Sequence, residues 1–447
     1  MNETIAAIAT PPGTGGIAVI RISGSKAIEI ANKLFSKDVF ALKTHTLTFG
    51  KVLDQFRAQI DEVLLAIMKA PRSFTGEDVI EIHCHGGALI SQKVLSRCLE
   101  CGAKAAGPGQ FSQRAFLNGK LDLSQAEAIQ QLIHAKSEKA TQAAANQLKG
   151  SLSSHIKQFQ HSLTQIAAII EAWVDYPEEG LEFASKEEII SELQTIYSSL
   201  FKLQSTFHEG KIISQGVNLC ILGAPNVGKS SLLNALLGFD RAIVTDIAGT
   251  TRDLLQEEIT LGGIHFNLID TAGIRQTDEI IEKMGIERSK QAQKEADLIL
   301  LVLDSTQTIS NDEIKLIDSL PKSKTILVWN KIDHPHSTPS PYENSTPISA
   351  KNNTEIVTLQ NDILQLVFNG NAPDKSQVTI TQERHYQELT RALESLKNVI
   401  EGLESDLSAE FISFDLRDGL KALGQIIGTN VTEDILGAIF SKFCVGK

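Results

Sequence analysis

Short apolar runs bounded by Gly and Pro dominate residues 1–120, among them Gly16-Ile-Ala-Val-Ile-Arg-Ile22 and Glu62-Val-Leu-Leu-Ala-Ile-Met68. Runs of this length predict buried strands of a mixed α/β domain. From Leu121 to about Gln215 the period changes. Glycine becomes scarce and apolar positions recur every three or four residues. Ile156, Phe159, Leu163, Ile166, Ile170 and Trp173 form one such stripe, which predicts a helix packed on a core. A second helical block fills 371–447. Between the two, residues 216–370 alternate apolar strands with polar helical stretches. The strands expected are Val217–Leu222, Ile264–Ile269, Leu298–Leu303 and Thr325–Trp329. That alternation predicts a parallel, doubly wound sheet with right-handed crossovers. His334–Pro347, with four prolines, predicts a surface loop inside this segment. The simplest layout is an N-terminal mixed α/β domain (1–120) followed by an all-α domain in two halves (121–215 and 371–447). An α/β domain (216–370) is inserted between the halves.

Composition sharpens this layout. The chain has 447 residues, 42% of them hydrophobic, enough for two or three separate cores. Its formal net charge is −12, distributed as +4 over 1–120, −7 over 216–370 and −9 over the helical blocks. A nucleic-acid partner would therefore need a local basic face. No apolar run reaches the roughly 18 residues of a membrane span, so no membrane association is expected. Met1-Asn2-Glu3-Thr4 lacks the basic and apolar regions of a signal peptide, and five cysteines (84, 98, 101, 220, 444) suit a reducing cytoplasm.

The strongest chemical signal is Gly223-Ala-Pro-Asn-Val-Gly-Lys229-Ser230, which matches the phosphate-binding loop between a strand and a helix. Its glycines let backbone N–H groups close on phosphates, and the helix N-terminus adds positive partial charge. Lys229 is placed to reach the β/γ oxygens and Ser230 to ligate Mg²⁺. Asp270-Thr271-Ala272-Gly273 ends a strand, placing Asp270 near the Mg²⁺ shell and the Gly273 N–H near the γ-phosphate. Asn330-Lys331-Ile-Asp333 ends a later strand, where the Asp333 carboxylate can accept two N–H donors of guanine. Adenine offers neither, so such a site discriminates by roughly 10⁴ or more. Ser349-Ala350-Lys351 supports the guanine carbonyl. In this order the motifs predict a GTPase and disfavour a bare ATPase.

Two departures from the Ras-like pattern bear on mechanism. Ile274 stands where Ras-like enzymes place the glutamine that orients the attacking water, so that water needs another holder. The first switch reads Thr245-Asp246-Ile247-Ala248-Gly249-Thr250-Thr251-Arg252-Asp253, with Thr251 the natural second Mg²⁺ ligand. Asn226 offers a neutral oxygen beside the β/γ-phosphates. With backbone oxygens of the switch it can coordinate a monovalent cation where other enzymes put an arginine finger.

The chain as a whole resembles the tRNA modification GTPase MnmE (TrmE) family. The resemblance rests on the loop with Asn226, Gly249-Thr-Thr-Arg-Asp253 and the ending Phe443-Cys-Val-Gly-Lys447. It also rests on Thr10-Pro-Pro-Gly-Thr-Gly-Gly16, Arg21-Ile-Ser-Gly24, Ser73-Phe-Thr-Gly-Glu-Asp78 and the segment Arg114–Ala128. Thr14 is a mild departure, since arginine is common there. The resemblance implies an N-terminal domain that binds folate and dimerises, a helical domain and an inserted G domain. It implies a homodimer that assembles with an FAD-dependent MnmG-type partner into a heterotetramer. Its expected product is an aminomethyl or carboxymethylaminomethyl group on carbon 5 of the wobble uridine of certain tRNAs. The one-carbon unit would come from 5-formyl- or methylene-tetrahydrofolate.

Residue by residue, the resemblance implies GTP contacts from Asn226, Val227, Gly228, Lys229, Ser230 and Ser231, from Thr245 to Thr251 and from the three later motifs. Asn226, Thr245, Ile247 and Thr250 match the family's K⁺ site, and Ser230 and Thr251 its Mg²⁺ site. Glu282 matches the water-orienting glutamate, although it also reads as one of several acids on an exposed helix. Arg21, Glu81, Lys120 and Lys447 match the folate-contacting positions, with a surface ion pair the plainer reading of Arg21. Cys444 is a candidate for the modification chemistry or a small packing residue.

Two other features invite a different reading. His83-Cys84-His85 with Cys98 and Cys101 looks like a metal set, but a strand sends both histidines to the face opposite Cys84, and zinc wants a closed tetrahedron. Core and turn packing is the expectation. A ribosome-assembly GTPase would share the nucleotide motifs, but such proteins append basic RNA-binding modules, whereas these appended helices are acidic.

Overall fold

The computed structural model describes residues 3–175, 184–239, 258–269, 295–368, 370 and 378–447. The N-terminal part builds a six-stranded sheet from β1 (Ile5–Ile8), β2 (Ile17–Ser23), β3 (Thr46–Leu53), β4 (Gln59–Met68), β5 (Val79–His85) and β6 (Lys104–Ala105). The strand order is β3-β4-β5-β2-β1-β6, antiparallel except between β1 and β6. Alternation along the strands sends Ile20, Ile22, Leu65, Ile67, Ile80 and Ile82 to one face. There they pack against helices α1 (Ala27–Leu34) and α2 (Ala88–Glu100). The other face carries Arg21, Glu81 and His83, with exposed Leu47, Phe49 and Leu64 toward the β3 edge. Cys84 points into the core with Cys98 and Cys101, and His83 points away from it, as the strand period requires. Helix α3 (Gln110–Leu117) follows.

The helical part begins at α4 (Leu123–His134), whose N-terminus carries a reciprocal cap between Asp122 and Gln125. It continues through α5 (Glu138–Leu148), α6 (Ser151–Asp175), α7 (Lys186–Ser205) and α8 (Phe207–Gln215). The stripe expected on α6 is present. Ile156, Leu163, Ile166 and Ile170 are buried, with Phe159 and Trp173 at the margin of the same core. Residues far along the chain complete that core.

The next segment forms a second six-stranded sheet from β7 (Val217–Leu222), β8 (Glu258–Leu261), β9 (Ile264–Ile269), β10 (Leu298–Asp304), β11 (Thr325–Asn330) and β12 (Ser345–Ile348). Helices α9 (Lys229–Phe239), α10 (Asn311–Ser319) and α11 (Ile356–Val367) belong to it. The order is β12-β11-β10-β7-β9-β8. All four expected strands are there, but two features differ from expectation. The sheet is not wholly parallel: β8 runs antiparallel to β9 through a two-residue turn, Gly262-Gly263, with φ of +57° and +76°. Two left-handed residues in a row are what a tight hairpin demands. The proline-rich loop is also shorter than expected, because residues 345–348 join the sheet as an edge strand that tolerates Pro347.

The chain then returns to the helical part with α12 (Glu383–Glu404), α13 (Ala409–Ile427) and α14 (Glu433–Phe440). Leu389, Leu396, Leu416 and Leu423 bury against Ile156, Leu163, Leu193 and Leu200, so segments more than 170 residues apart share one core. A buried ion group fastens α4 to α12. Glu127 takes Arg384 at 2.8 Å and His385 at 2.7 Å. Ala140 of α5 and Ile213 of α8 lie in the core of the second sheet, which joins it to the helices. Among the described residues no helix is long and apolar enough to cross a membrane.

Candidate functional site

The phosphate loop is bent by its sequence. Gly223 and Gly228 have φ of +147° and +102°, and a Cβ on either would stand 2.4 Å from the Val302 oxygen or 2.3 Å from Asn330 Nδ2. Only glycine fits there. Asn226 also sits in the left-handed region, at φ +65°, with its side chain exposed at the top of the loop. The amine of Lys229 folds back and donates to the Gly223 and Ala224 carbonyls, both at 2.8 Å. Burial lowers its pKa from the ordinary lysine value. Lys229 opens α9, followed by the exposed Ser230 and Ser231.

Asn330 is the keystone between this loop and the segments expected to recognise the base. Its Nδ2 donates to the Val227 carbonyl at 2.8 Å, and its Oδ1 accepts from the Ala350 N–H at 3.0 Å. The side chain of Asp333 is exposed, with Oδ1 accepting from Ser349 Oγ at 2.6 Å. That hydrogen bond holds its carboxyl below the usual aspartate range. Ser349 Oγ in turn accepts from the Asn352 N–H, and Lys351 is exposed beside it. Asn226 through Ser231, Asn330, Lys331, Asp333 and Ser349 to Lys351 therefore gather at the C-terminal ends of the strands, where doubly wound sheets bind ligands. Thr245, Asp246, Ile247, Ala248, Gly249, Thr250, Thr251, Asp270, Thr271, Ala272, Gly273 and Glu282 lie outside the described residues.

Sequence reasoning missed Asp304 at this site. It ends β10 and takes the Lys331 amine on Oδ2 at 2.6 Å, while Oδ1 accepts from the Thr306 N–H and hydroxyl. The available signal was an acid closing the apolar run Leu298–Leu303.

A second cluster lies on the open face of the N-terminal sheet. Arg21 and Glu81 are register partners on β2 and β5, joined by two contacts of 2.9 and 2.8 Å. Arg21 also lies 5.6 and 5.7 Å from the ring centres of Phe74 and Phe111, and its Nη1 donates to the Gly446 carbonyl at 3.3 Å. That last bond spans 425 positions. The segment Phe443–Lys447 is laid along the N-terminal part. Gly109 N–H donates to Cys444 O, Phe111 N–H donates to Lys447 O, and Val445 bridges Pro108. Gly446, at φ +92°, passes so close to Ile8 that a Cβ would stand 2.5 Å from its oxygen. Cys444 keeps an exposed side chain on this docked segment.

Of the four implied folate residues, Arg21 and Glu81 are paired directly, and Lys447 follows Gly446, whose carbonyl Arg21 binds, with its own backbone oxygen on the Phe111 N–H. Lys120 stands apart, its amine donating to the Pro71 carbonyl at the far end of the loop that carries Phe74. The cluster pairs a cation with a carboxylate on the sheet face, with the half-buried Phe74 ring beside Arg21 and the Phe111 ring buried next to it. His83 Nε2, buried on the same face, has no hydrogen-bond partner among the described residues and lies 3.6 Å from Glu81 Oε2.

Comparison with known proteins covers the whole chain. A family model described as "MnmE helical domain" matches residues 123–444, and one described as "GTP-binding protein TrmE N-terminus" matches 4–120. A "tRNA modification GTPase MnmE" of Protochlamydia amoebophila is 51% identical over 450 residues, covering 100% of this chain and 98% of the relative. Proteins of the same description from Acetivibrio thermocellus and Clostridioides difficile are 41% and 42% identical. Each covers 100% of this chain, and 99% and 100% of the relative.

Proposed function

The chain belongs to the MnmE family of tRNA modification GTPases, and we propose from its two clusters how it carries out that work. It hydrolyses GTP in the course of tRNA modification. In our reading, residues 216–370 are the G domain, 1–120 bind folate and dimerise, and 121–215 with 371–447 form the helical domain. The observation that carries this reading is the docked segment Phe443–Lys447. It brings the Gly446 carbonyl to Arg21 and lays Cys444 and Lys447 along Gly109 and Phe111 beside it, which supports a site built by residues from both ends of the chain.

Within the G domain, Asp333 selects guanine, and Lys229 and the loop N–H groups hold the phosphates. Ser230 and Thr251 hold Mg²⁺. Asn226, Thr245, Ile247 and Thr250 form a K⁺ site, and Glu282 orients water. At the N-terminal site, Arg21, Glu81, Lys120 and Lys447 hold a tetrahydrofolate derivative, 5-formyl or methylene, which when bound supplies the one-carbon unit. An FAD-dependent MnmG-type partner completes a heterotetramer with the homodimer. The product is an aminomethyl or carboxymethylaminomethyl group on carbon 5 of the wobble uridine of tRNA.

The test is mass analysis of wobble nucleosides in tRNA from a deletion strain, complemented by wild type or by Arg21→Ala. Loss of the 5-substituent in both the deletion and the Arg21→Ala strain supports the reading. An intact wobble modification in the deletion strain overturns it.

A further inference from the structure

We propose that Lys43, Lys69, Arg72 and Lys120, gathered at one end of the N-terminal sheet, form the surface that takes the phosphate backbone of the tRNA substrate. Three separate segments are stitched together there. The His45 N–H donates to the Ile67 carbonyl at 2.6 Å, where β3 begins and β4 ends. The Lys69 N–H donates to Thr44 Oγ1 at 3.0 Å, which ties the turn after β4 to the segment carrying Lys43. The Arg72 N–H closes that turn on the Lys69 carbonyl, and the Lys120 amine reaches in to the Pro71 carbonyl at 3.0 Å. Lys43, Arg72 and Lys120 are exposed and Lys69 is half-buried.

None of the four makes an ion pair with a described residue. The two acids of the adjoining loop are already engaged. Asp78 accepts the Ala70 N–H at 2.8 Å, and Glu77 takes Arg114 and Ser23, each at 2.8 Å. The patch is therefore a net cation held on a rigid sheet end. It also lies in the one part of the chain with excess positive charge, +4 over residues 1–120 within a protein of −12. RNA approaching an acidic protein must find such a place, because phosphate contacts supply most of its sequence-independent affinity.

Position adds a second argument. The loop from Pro71 to Gly76 runs from the patch to Phe74, whose ring faces the Arg21 guanidinium. RNA held on the patch borders the cluster where the segment carrying Cys444 is docked. The inference rests on the tRNA reading above and adds the place where the substrate binds.

The experiment is fluorescence anisotropy of a labelled, unmodified tRNA transcript with a wobble uridine, titrated with the full-length protein across a salt series. Wild type is compared with Lys43→Glu/Lys69→Glu/Arg72→Glu, and with the charge-matched control Lys157→Glu/Lys202→Glu/Lys211→Glu on the helical part. Circular dichroism and thermal unfolding, unchanged in both variants, report that they fold, and GTP turnover without tRNA stays at the wild-type rate. Each lost phosphate contact should lower the salt slope by about 0.7–0.9. The triple patch variant should therefore bind more than tenfold more weakly, with the slope of log K against log salt reduced by about 2–3, while the control stays within twofold. Equal losses in patch variant and control would overturn the proposal, since net charge alone would explain them. So would retained tRNA affinity with a loss confined to polyglutamylated folate, which would make the patch a seat for the folate tail. A wild-type protein that binds no tRNA would overturn the underlying reading as well.

Discussion

Lys331 and Asp304 join the ends of neighbouring parallel strands, the amine lying 2.6 Å from the carboxylate. Lys331 has a left-handed backbone, φ +69°, and the pair fixes where its side chain runs beside Asp333. Burial raises the Asp304 pKa, but hydrogen bonds from Lys331 and Thr306 outweigh it, and the carboxyl is held below the ordinary aspartate value. Asp304→Ala leaves the Lys331 amine without its carboxylate. Hydrogen bonds to charged groups contribute about 1.5–3 kcal/mol, so GDP and GTP should bind roughly tenfold or more weakly. Turnover at saturating GTP should hardly change, because the contact is the same in ground and transition states. Titration with a fluorescent guanine nucleotide checks this. Unaltered affinity would remove Asp304 from guanine recognition.

The left-handed Asn226 allows a clean test of the cation site. Asn226→Gly keeps φ +65° accessible while removing the side chain, and with it the oxygen that would face the cation. Charges placed where an arginine finger acts are worth roughly 10³–10⁵ in rate. GTP turnover should be far faster in KCl than in NaCl at matched ionic strength, and Asn226→Gly should abolish the difference. Equal wild-type rates in the two salts would dismiss the K⁺ site.

Glu282 has to be judged by kinetics. If it orients the water, Glu282→Ala should lower kcat by orders of magnitude and leave GTP affinity nearly intact, because the contact exists only in the transition state. Single-turnover hydrolysis beside nucleotide binding separates the cases. A matched loss of affinity would assign it to the support of its own segment.

What the sequence made legible were the features with a strong local signature. The phosphate loop, the four apolar strands and the stripe from Ile156 to Trp173 each follow from a periodicity or a glycine requirement within a few residues. β8 and β12 were missed because each has only four residues, and Pro347 within β12 reads as a breaker when the strand's edge position is unknown. Gly262-Gly263 was a usable hairpin signal for β8. The Arg21–Gly446 contact, across 425 positions, has no local signature at all. Residue types on a strand show that Arg21 wants a partner, but only tertiary structure says that Glu81 and the Gly446 carbonyl provide it. Asp304 fell between these cases, since an acid at a strand end is visible but its bond to Lys331 is not.

The buried Glu127 predicts an acid-sensitive core. Burial alone would raise its pKa, but His385 and Arg384 outweigh burial and hold it down to about 2. The group is depressed when folded, so its contribution is present above the ordinary glutamate value near 4.5. It is lost as pH falls through the folded value. Stability should therefore drop between about pH 5 and pH 2, by on the order of 3 kcal/mol from this group. Glu127→Gln should cost about 3–5 kcal/mol at neutral pH, because it strands the Arg384 charge, and should flatten that part of the acid limb. Chemical denaturation across a pH series measures both. An acid limb with the wild-type slope in Glu127→Gln would assign the sensitivity to other groups.

Gly446 offers a way to undock the C-terminal segment without touching any side chain in either cluster. Its φ of +92° already strains any other residue, and a Cβ would stand 2.5 Å from the Ile8 oxygen and 2.8 Å from Ala9 Cα, both backbone atoms that cannot swing aside. In Gly446→Ala the segment has to lift, which breaks the Arg21–Gly446 bond and the Phe111–Lys447 bond and moves Cys444 away from Gly109. The nucleotide loop lies in a different sheet and touches none of these residues. GTP turnover should stay within about twofold of wild type, because the substitution acts on a segment packed against the N-terminal part and not on the second sheet. Affinity for 5-formyl-tetrahydrofolate should fall, and wobble-uridine modification should drop more steeply than GTP hydrolysis. Lys447→Ala serves as the comparison, because it removes one side chain but leaves the backbone docked, and its loss should be smaller than that of Gly446→Ala. If Gly446→Ala binds folate and modifies tRNA like wild type, the docked position of Cys444 and Lys447 has no part in the reaction, and the site must be built from Arg21, Glu81 and Lys120 alone.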